Sequence, residues 1–192
     1  MSRTYQLVLV SMFAALMAIG ANITAFLVIG GVPITMQAFF SILAGALLGR
    51  RLGALSIIVY IFIGLIGFPV FAQFKGGLSH LVNPTFGFLL SFVLVAYITG
   101  WIVEKSREKT LKTFLFASFS GLITTYVIGT NYMYFAYQFL ANLESIPYAV
   151  VVSWMIAPFI KDFIFTIIAS VLAKRMYAIV NKNRNENETL AA

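Results

Sequence analysis

Residues 85–103 read TFGFLLSFVLVAYITGWIV and are followed at 104–109 by EKSREK, a change from no charged side chain to five in six residues. A helix needs about 20 apolar residues to cross the hydrocarbon core of a bilayer. The first stretch is long enough for one crossing, and the second is polar enough to stay in water. The period-two alternation that is typical of transmembrane strands is absent. The two segments therefore predict a transmembrane α-helix that ends in an aqueous loop.

The same pattern recurs along the whole chain. Of its 192 residues, 61% are hydrophobic and 10% are charged, and the mean hydropathy is +0.96. Soluble domains carry about 25% charged residues. We predict an all-α integral membrane protein with one transmembrane domain, residues 1–174, and a polar tail, residues 175–192. The six predicted helices cover about residues 5–29, 35–48, 52–68, 85–103, 111–137 and 148–173.

The distribution of basic residues predicts the orientation of this bundle. With six helices, 11 of the 13 lysines and arginines fall on one side, and the positive-inside rule makes that side cytoplasmic. Both termini and the polar tail would then be cytoplasmic. The net charge of +7 is explained by this topology and by anionic lipid, so membrane lipid is a predicted partner and nucleic acid is not. The 11 residues are Arg3, Arg50, Arg51, Lys105, Arg107, Lys109, Lys112, Lys174, Arg175, Lys182 and Arg184.

Several kinds of chemistry are excluded by composition. The chain has no cysteine, which removes disulfides and thiolate metal sites, and a single histidine has no neighbouring ligand for a metal. Paired catalytic carboxylates, a serine triad and a phosphate-binding loop are also missing. We therefore expect neither an enzyme nor a cofactor. A transporter driven by nucleotide would need ATP-hydrolysing partner subunits.

Lys161 and Asp162 lie side by side in the middle of the last predicted helix. Placing either charge in hydrocarbon costs about 2.5 to 3.5 kcal/mol on insertion scales, so each must face the bundle interior or a wet cavity. They could bind a ligand, or they could form a structural pair that holds the last helix in register. Because adjacent helical side chains point about 100° apart, we expect a pair between them to be poorly aligned.

Three further polar residues are candidates for ligand contacts near the ends of predicted helices. Lys75 precedes the pair Gly76-Gly77 in a loop, where it could be solvated or could attract a carboxylate. His80 could pack in the loop or donate a hydrogen bond. Gln37, at the start of the second predicted helix, could bind a ligand or satisfy free backbone groups.

Four motifs resemble those of the biotin-specific membrane subunits of energy-coupling factor (ECF) transporters, the BioY-type S components. Their order and spacing agree with the family as well as their content does, and the resemblance extends over about residues 12–174. The motifs are VPITMQ at 32–37, AGALLGRRLG at 44–53, GLIGFPVF at 64–71, and GG at 76–77 followed by NPTFGF at 83–88.

The resemblance implies a six-helix bundle in the bacterial plasma membrane with a biotin site near the extracellular face. Its implied partners are a transmembrane coupling subunit (EcfT), contacted by Ala14 and Ala18, and two cytoplasmic ATPases. It places ligand contacts before and at the start of the fourth predicted helix and in the last helix, where Lys161 would approach the ureido ring. The candidate substrate-binding residues are Lys161, Asp162, Lys75, Gln37, Asn83, Phe88 and His80.

The chain departs from the family at residues 156–158, which read IAP where members often have Pro-Gly-Asp. The aspartate three residues before Lys161 is therefore missing, and Asp162 is its candidate replacement on a different helix face. Two other functions stay open. One is an S component for another small vitamin-like carboxylate, which ligand competition would reveal. The other is a membrane assembly or structural protein without a solute, in which Lys161 and Asp162 would matter to stability only.

Overall fold

A computed structural model describes residues 3–140 and 146–190, with side-chain environments as far as Ile179. Five of its helices are long and apolar enough to cross a membrane, which confirms the prediction of an all-helical membrane protein. Two short 3-10 turns, Ala72–Phe74 and Leu78–Val82, lie in the loop before α3. The elements in chain order are α1 (Arg3–Asn22), β1 (Val28–Ile29), β2 (Val32–Pro33), α2 (Gln37–Ile66), α3 (Phe86–Lys105), α4 (Leu111–Phe139), α5 (Tyr148–Trp154) and α6 (Ile156–Leu190).

The first helix is shorter than its sequence predicts. It ends at Asn22 rather than near Ile29, and residues 28–33 form a small antiparallel hairpin. Gly30 and Gly31 have φ of 55° and 76°. Two successive residues with positive φ make the tight turn that best suits a two-residue hairpin, and glycine adopts it without steric cost. The Gly pair thus forms the turn of a β-hairpin rather than ending a helix.

The helix α2 is a pair of arms that fold back on each other at Gly49. Gly49 has a φ of 81° and a ψ of 173°, which no helical residue adopts. A Cβ on Gly53 would lie 2.8 Å from the carbonyl oxygen of Ala44 and 2.9 Å from the Cα of Gly45. Residues eight or nine apart are more than 10 Å distant in a straight helix, so the chain must reverse here. The arms correspond to the second and third predicted helices.

The last predicted helix is divided into α5 and α6 at Met155. Pro158 lies in the first turn of α6, where its missing N–H has no intrahelical partner in any case. The predicted single helix over 148–173 was therefore wrong in its first third. At the other end α6 continues to Leu190, into the segment that was predicted as a polar tail. The final residues, 191–192, lie outside the described part of the chain.

The two ends of the bundle differ in charge. Arg50 and Glu104 form an ion pair of 3.3 Å that joins the turn of α2 to the end of α3. The Glu104 carboxylate also accepts a hydrogen bond of 2.9 Å from the Arg50 backbone N–H. This charged end is opposite the N-terminal ends of α2 and α3. At those N-terminal ends the side chains enclose a cavity.

Candidate functional site

The cavity lies between the N-terminal ends of α2 and α3, the middle of α4 and the first turns of α6. Its atom-free space amounts to about 670 Å³, a value that includes space open to solvent. Most of the wall is apolar, and its polar groups come from α2, α4, α6 and the loop before α3. The lining residues are Val32, Pro33, Ile34, Thr35, Gln37, Ala38, Phe71, Ala72, His80, Thr85, Phe88, Leu89, Phe92, Thr125, Tyr126, Met155, Pro158, Lys161 and Asp162.

Lys161 and Asp162 form an ion pair at the wall of this cavity. The Lys161 Nζ is 2.7 Å from Asp162 Oδ1, and the side chains are 20% and 10% exposed. The expectation of a poorly aligned pair was therefore wrong, because the long lysine stem bends its ammonium back to the neighbouring carboxylate. Lys161 also donates a hydrogen bond to the backbone carbonyl of Thr35. An ammonium has three N–H donors, so one is left for a ligand.

Tyr126 of α4 completes the surroundings of the Asp162 carboxylate. Its hydroxyl donates a hydrogen bond of 2.7 Å to Asp162 Oδ2. Asp162 is 8% exposed, and each of its two oxygens has a charged or hydroxyl donor. A buried carboxylate with such partners keeps a fixed orientation while retaining lone pairs for a further N–H donor. The group Tyr126–Asp162–Lys161 can therefore both donate to and accept from a ligand.

A second hydrogen-bonded chain links α2 to the loop before α3. The Thr35 hydroxyl donates to Gln37 Oε1 at 3.1 Å, and Gln37 Nε2 donates to the Tyr60 hydroxyl at 3.0 Å. The Tyr60 hydroxyl in turn donates to the Val70 carbonyl at 3.1 Å. Gln37 is therefore oriented by hydrogen bonds to both ends of its amide group. The Val70 carbonyl attaches the loop before α3 to the same network.

His80 lines the cavity, whereas Lys75 does not. The imidazole packs on the Phe71 ring with centroids 4.8 Å apart. Burial, and next the charge of Lys75, lower the pKa of His80 from its usual value. The ring is accordingly neutral at pH 7, with one donor and one acceptor nitrogen. Lys75 is exposed, so it can act on a ligand through its charge as the ligand approaches.

The other predicted residues divide into one that reaches the cavity and three that do not. Phe88 lines it. Asn83 instead stabilises the turn before α3, because its Oδ1 accepts hydrogen bonds of 2.9 Å from the backbone N–H of Thr85 and 2.8 Å from the Thr85 hydroxyl. Ala14 is 4% exposed and Ala18 packs against the same core, so Ala14 is not available to a partner in this conformation. The small residues that α1 presents on its outer face are Ser11 and Ala15.

Tyr126, which lines the cavity, and Asn22, which supports its loop from the end of α1, were not among the candidates. Tyr126 was one of several tyrosines in α4, and tyrosine is common at membrane interfaces whatever its role. Asn22 ends α1 and joins it to the loop before α3. Its Nδ2 donates to the Val70 carbonyl at 3.3 Å, and its Oδ1 accepts from the Phe74 N–H at 2.7 Å. The sequence signal that could have identified Asn22 is an asparagine in the last turn of an apolar helix.

Comparison with known proteins gives one consistent family. A family model described as the BioY family matches residues 1–182. A protein of Lysinibacillus sphaericus named "Probable biotin transporter BioY" is 39% identical over 94% of this chain and 91% of its own length. The "Biotin transporter BioY" of Thermotoga maritima is 33% identical over 89% of this chain and 95% of its own.

A solved structure has the same fold. The crystal structure of the S-component for biotin from an ECF-type ABC transporter superposes with a TM-score of 0.70. The alignment covers 92% of this chain and 94% of that one at 22% sequence identity. At this level of identity the likeness establishes the fold of the chain. The cavity and its polar wall lie within that fold.

Proposed function

This chain belongs to the BioY family, and from that premise we propose that it is the biotin-binding S component of an ECF-type importer. The observation that carries the proposal is the Tyr126–Asp162–Lys161 group on the wall of an otherwise apolar cavity. Its relatives are transporters, so the chain is a transport subunit of the bacterial plasma membrane and not an enzyme.

The cavity offers complementary groups for each part of biotin. The ureido ring has one carbonyl acceptor and two N–H donors. The free N–H of Lys161 would donate to the ureido carbonyl, and Asp162 would accept from a ureido N–H. The fused thioether ring is apolar and would pack against Phe88 and Phe92. The carboxylate would then point towards His80, with Lys75 nearby at the mouth.

The proposed topology has six membrane crossings with both termini in the cytoplasm. The reversal of α2 at Gly49 supports six crossings, because each arm of the helix passes in a different direction. The Arg50–Glu104 end carries most of the loop charge, and the positive-inside rule makes it cytoplasmic. The cavity is at the opposite end, so it would open to the outside.

The proposed partners are a transmembrane coupling subunit and two ATPases, which would supply the energy for release. Ala14 is buried, so the proposed contact with the coupling subunit is made by the outer face of α1, where Ala15 is exposed. Small residues allow a second helix to approach closely. Ala18, which is half-buried, would lie at the edge of such a contact.

Direct binding tests the proposal. We expect purified chain in detergent to bind biotin saturably in calorimetry, with desthiobiotin competing and thiamine not competing. Tighter binding of another vitamin would make the chain an S component for that compound. Absence of any binding by folded protein, shown by a cooperative thermal transition, would favour an assembly role without a solute.

The Tyr126 hydroxyl is expected to contribute to affinity by fixing Asp162. Replacing Tyr126 with Phe removes a hydrogen bond to a charged group, worth about 1.5 to 3 kcal/mol, and we expect biotin to bind roughly 10-fold more weakly. Calorimetry measures the change. Tyr134→Phe is a matched control on the same helix, outside the cavity lining. Equal affinities for the two variants would remove Tyr126 from the site.

Lys75 is expected to affect the rate of capture more than the stability of the complex. A charge at the rim steers an anionic ligand, so Lys75→Gln should lower the association rate about 3-fold and leave dissociation unchanged. The difference should vanish at high salt. Stopped-flow kinetics measure both rates, with Lys105→Gln at the charged end as the control. A change in dissociation alone would instead indicate direct contact with the bound ligand.

A further inference from the structure

Two of the loops at the cavity end are almost without charge. Residues 23–36 read ITAFLVIGGVPITM and residues 67–85 read GFPVFAQFKGGLSHLVNPT. Together they contain one lysine, Lys75, and no acidic residue. The loop at the opposite end, residues 104–110, carries five charges in seven residues. Loops that run through water are usually polar, and the loop at the opposite end follows that rule while these two do not.

Several large apolar side chains of these loops are turned outward. Phe26 is 74% exposed, Leu27 64%, Phe74 61% and Leu78 69%. We call these four residues the apolar crown. Exposed apolar residues are ordinary when single, but a contiguous group at one end of a protein marks an interaction surface.

The outward position of the crown is fixed by its surroundings. The rings of Phe26 and Phe74 meet across the two loops with centroids 6.5 Å apart. Gln73 and Phe74 have φ of 62° and 55°, a backbone region that few non-glycine residues adopt. The Phe74 N–H donates to Asn22 Oδ1 at 2.7 Å, which ties this turn to the end of α1. The buried side of the loop is already occupied by Phe71, which is 1% exposed.

The crown is continuous with the surface that faces lipid on the helices. Ile23 follows α1 directly and is 62% exposed, and Phe68 follows α2 and is 59% exposed. These residues lead from the apolar helix faces to Phe26 and Phe74 without an intervening charge. The membrane already surrounds the bundle at this point, so lipid is the neighbour that meets the crown first.

We propose that the apolar crown is seated in the headgroup and upper acyl region of the leaflet at the cavity end. Aromatic and aliphatic side chains with few charges are what this region accepts, and a single lysine can extend its ammonium to the lipid phosphates. The mouth of the cavity then lies among headgroups rather than above them. The inference goes beyond ligand binding and holds for any ligand.

The absence of cysteine from the chain makes the test direct, because each introduced cysteine is the only labelling site. Phe74→Cys and Leu78→Cys carry a nitroxide on the crown. Ile123→Cys, on a 63% exposed position of α4, is the control in lipid, and Arg107→Cys is the control in water. Each protein is checked for an unchanged thermal transition and reconstituted into liposomes. Power-saturation spectroscopy then measures access to oxygen and to a water-soluble nickel chelate.

We expect the two crown labels to favour oxygen over the nickel chelate, with values between those of the Ile123 and Arg107 labels. Access to the chelate equal to that at Arg107 would overturn the proposal, since the crown would then be in water. Protection from both reagents with broadened spectra would also overturn it, and would indicate that a second copy of the chain covers the crown.

Discussion

Replacement of Lys161 by Met is expected to lower the affinity for biotin by at least about 100-fold, an effect near 3 kcal/mol. The variant loses the donor that would meet the ureido carbonyl. It also leaves the Asp162 carboxylate buried with the Tyr126 hydroxyl as its remaining partner. Removing one member of a buried ion pair costs about 3 to 5 kcal/mol, because the other charge stays uncompensated. Calorimetry gives the affinity and thermal unfolding in detergent gives the stability.

A double variant separates the loss of affinity from the loss of stability. Lys161→Met combined with Asp162→Asn removes both charges, so we expect it to recover most of the stability and none of the affinity. Lys174→Met is the matched control, since it makes the same change on an exposed position of the same helix. If the double variant bound biotin as the unchanged protein does, the pair would be structural and the ligand would be recognised elsewhere.

Most of the helix boundaries could be predicted from local features of the sequence. The charged run 104–109 ends α3, and Gly49 with the two arginines after it predicted the break that reverses α2. These signals are strong because charge is excluded from hydrocarbon and because glycine alone adopts the required backbone at little cost. They act within a few residues, so one sequence is enough to recognise them.

The errors arose where two local signals conflict or where a distant contact decides. The Gly30-Gly31 pair stops a helix and also suits a hairpin turn, and only the pairing of residues 28–29 with 32–33 settles the choice. Trp154 directly precedes the break at Met155, and its ring packs over the backbone of Gly30. Such contacts join segments more than 100 residues apart, and no pattern within either segment reports them.

The site, like the helix boundaries, could be predicted only in part from the sequence. Lys161, Asp162, Gln37 and His80 were candidates as polar residues at unusual positions, and Phe88 was a candidate from the family resemblance. All five lie around one cavity. Tyr126 was hidden among tyrosines that an interface explains equally well. Asn83 lies outside the cavity lining and stabilises the turn before α3, so its contact with a ligand stays a prediction.

Replacement of Gly45 by Ala is expected to destabilise the bundle by about 2 to 3 kcal/mol. A Cβ at this position would lie 2.2 Å from the carbonyl oxygen of Ala96 and 2.9 Å from its Cα. These are backbone atoms of α3, so no side-chain rotation relieves the clash and the two helices must separate. Their separation would loosen contacts along the central pair of helices. Thermal unfolding in detergent measures the loss, and biotin binding at low temperature shows whether the remaining folded protein keeps its cavity.

Gly121→Ala is the control that distinguishes this clash from any general effect of adding a methyl group. There the nearest atoms to a new Cβ are side-chain atoms, Thr99 Oγ1 at 2.9 Å and Val95 Cγ1 at 3.0 Å. These contacts are longer than the 2.2 Å at Gly45, so a smaller displacement relieves them, and alanine favours a helix over glycine by about 1 kcal/mol. We therefore expect Gly121→Ala to be within about 1 kcal/mol of the unchanged protein. Equal losses for both variants would mean that backbone contact between α2 and α3 does not limit stability.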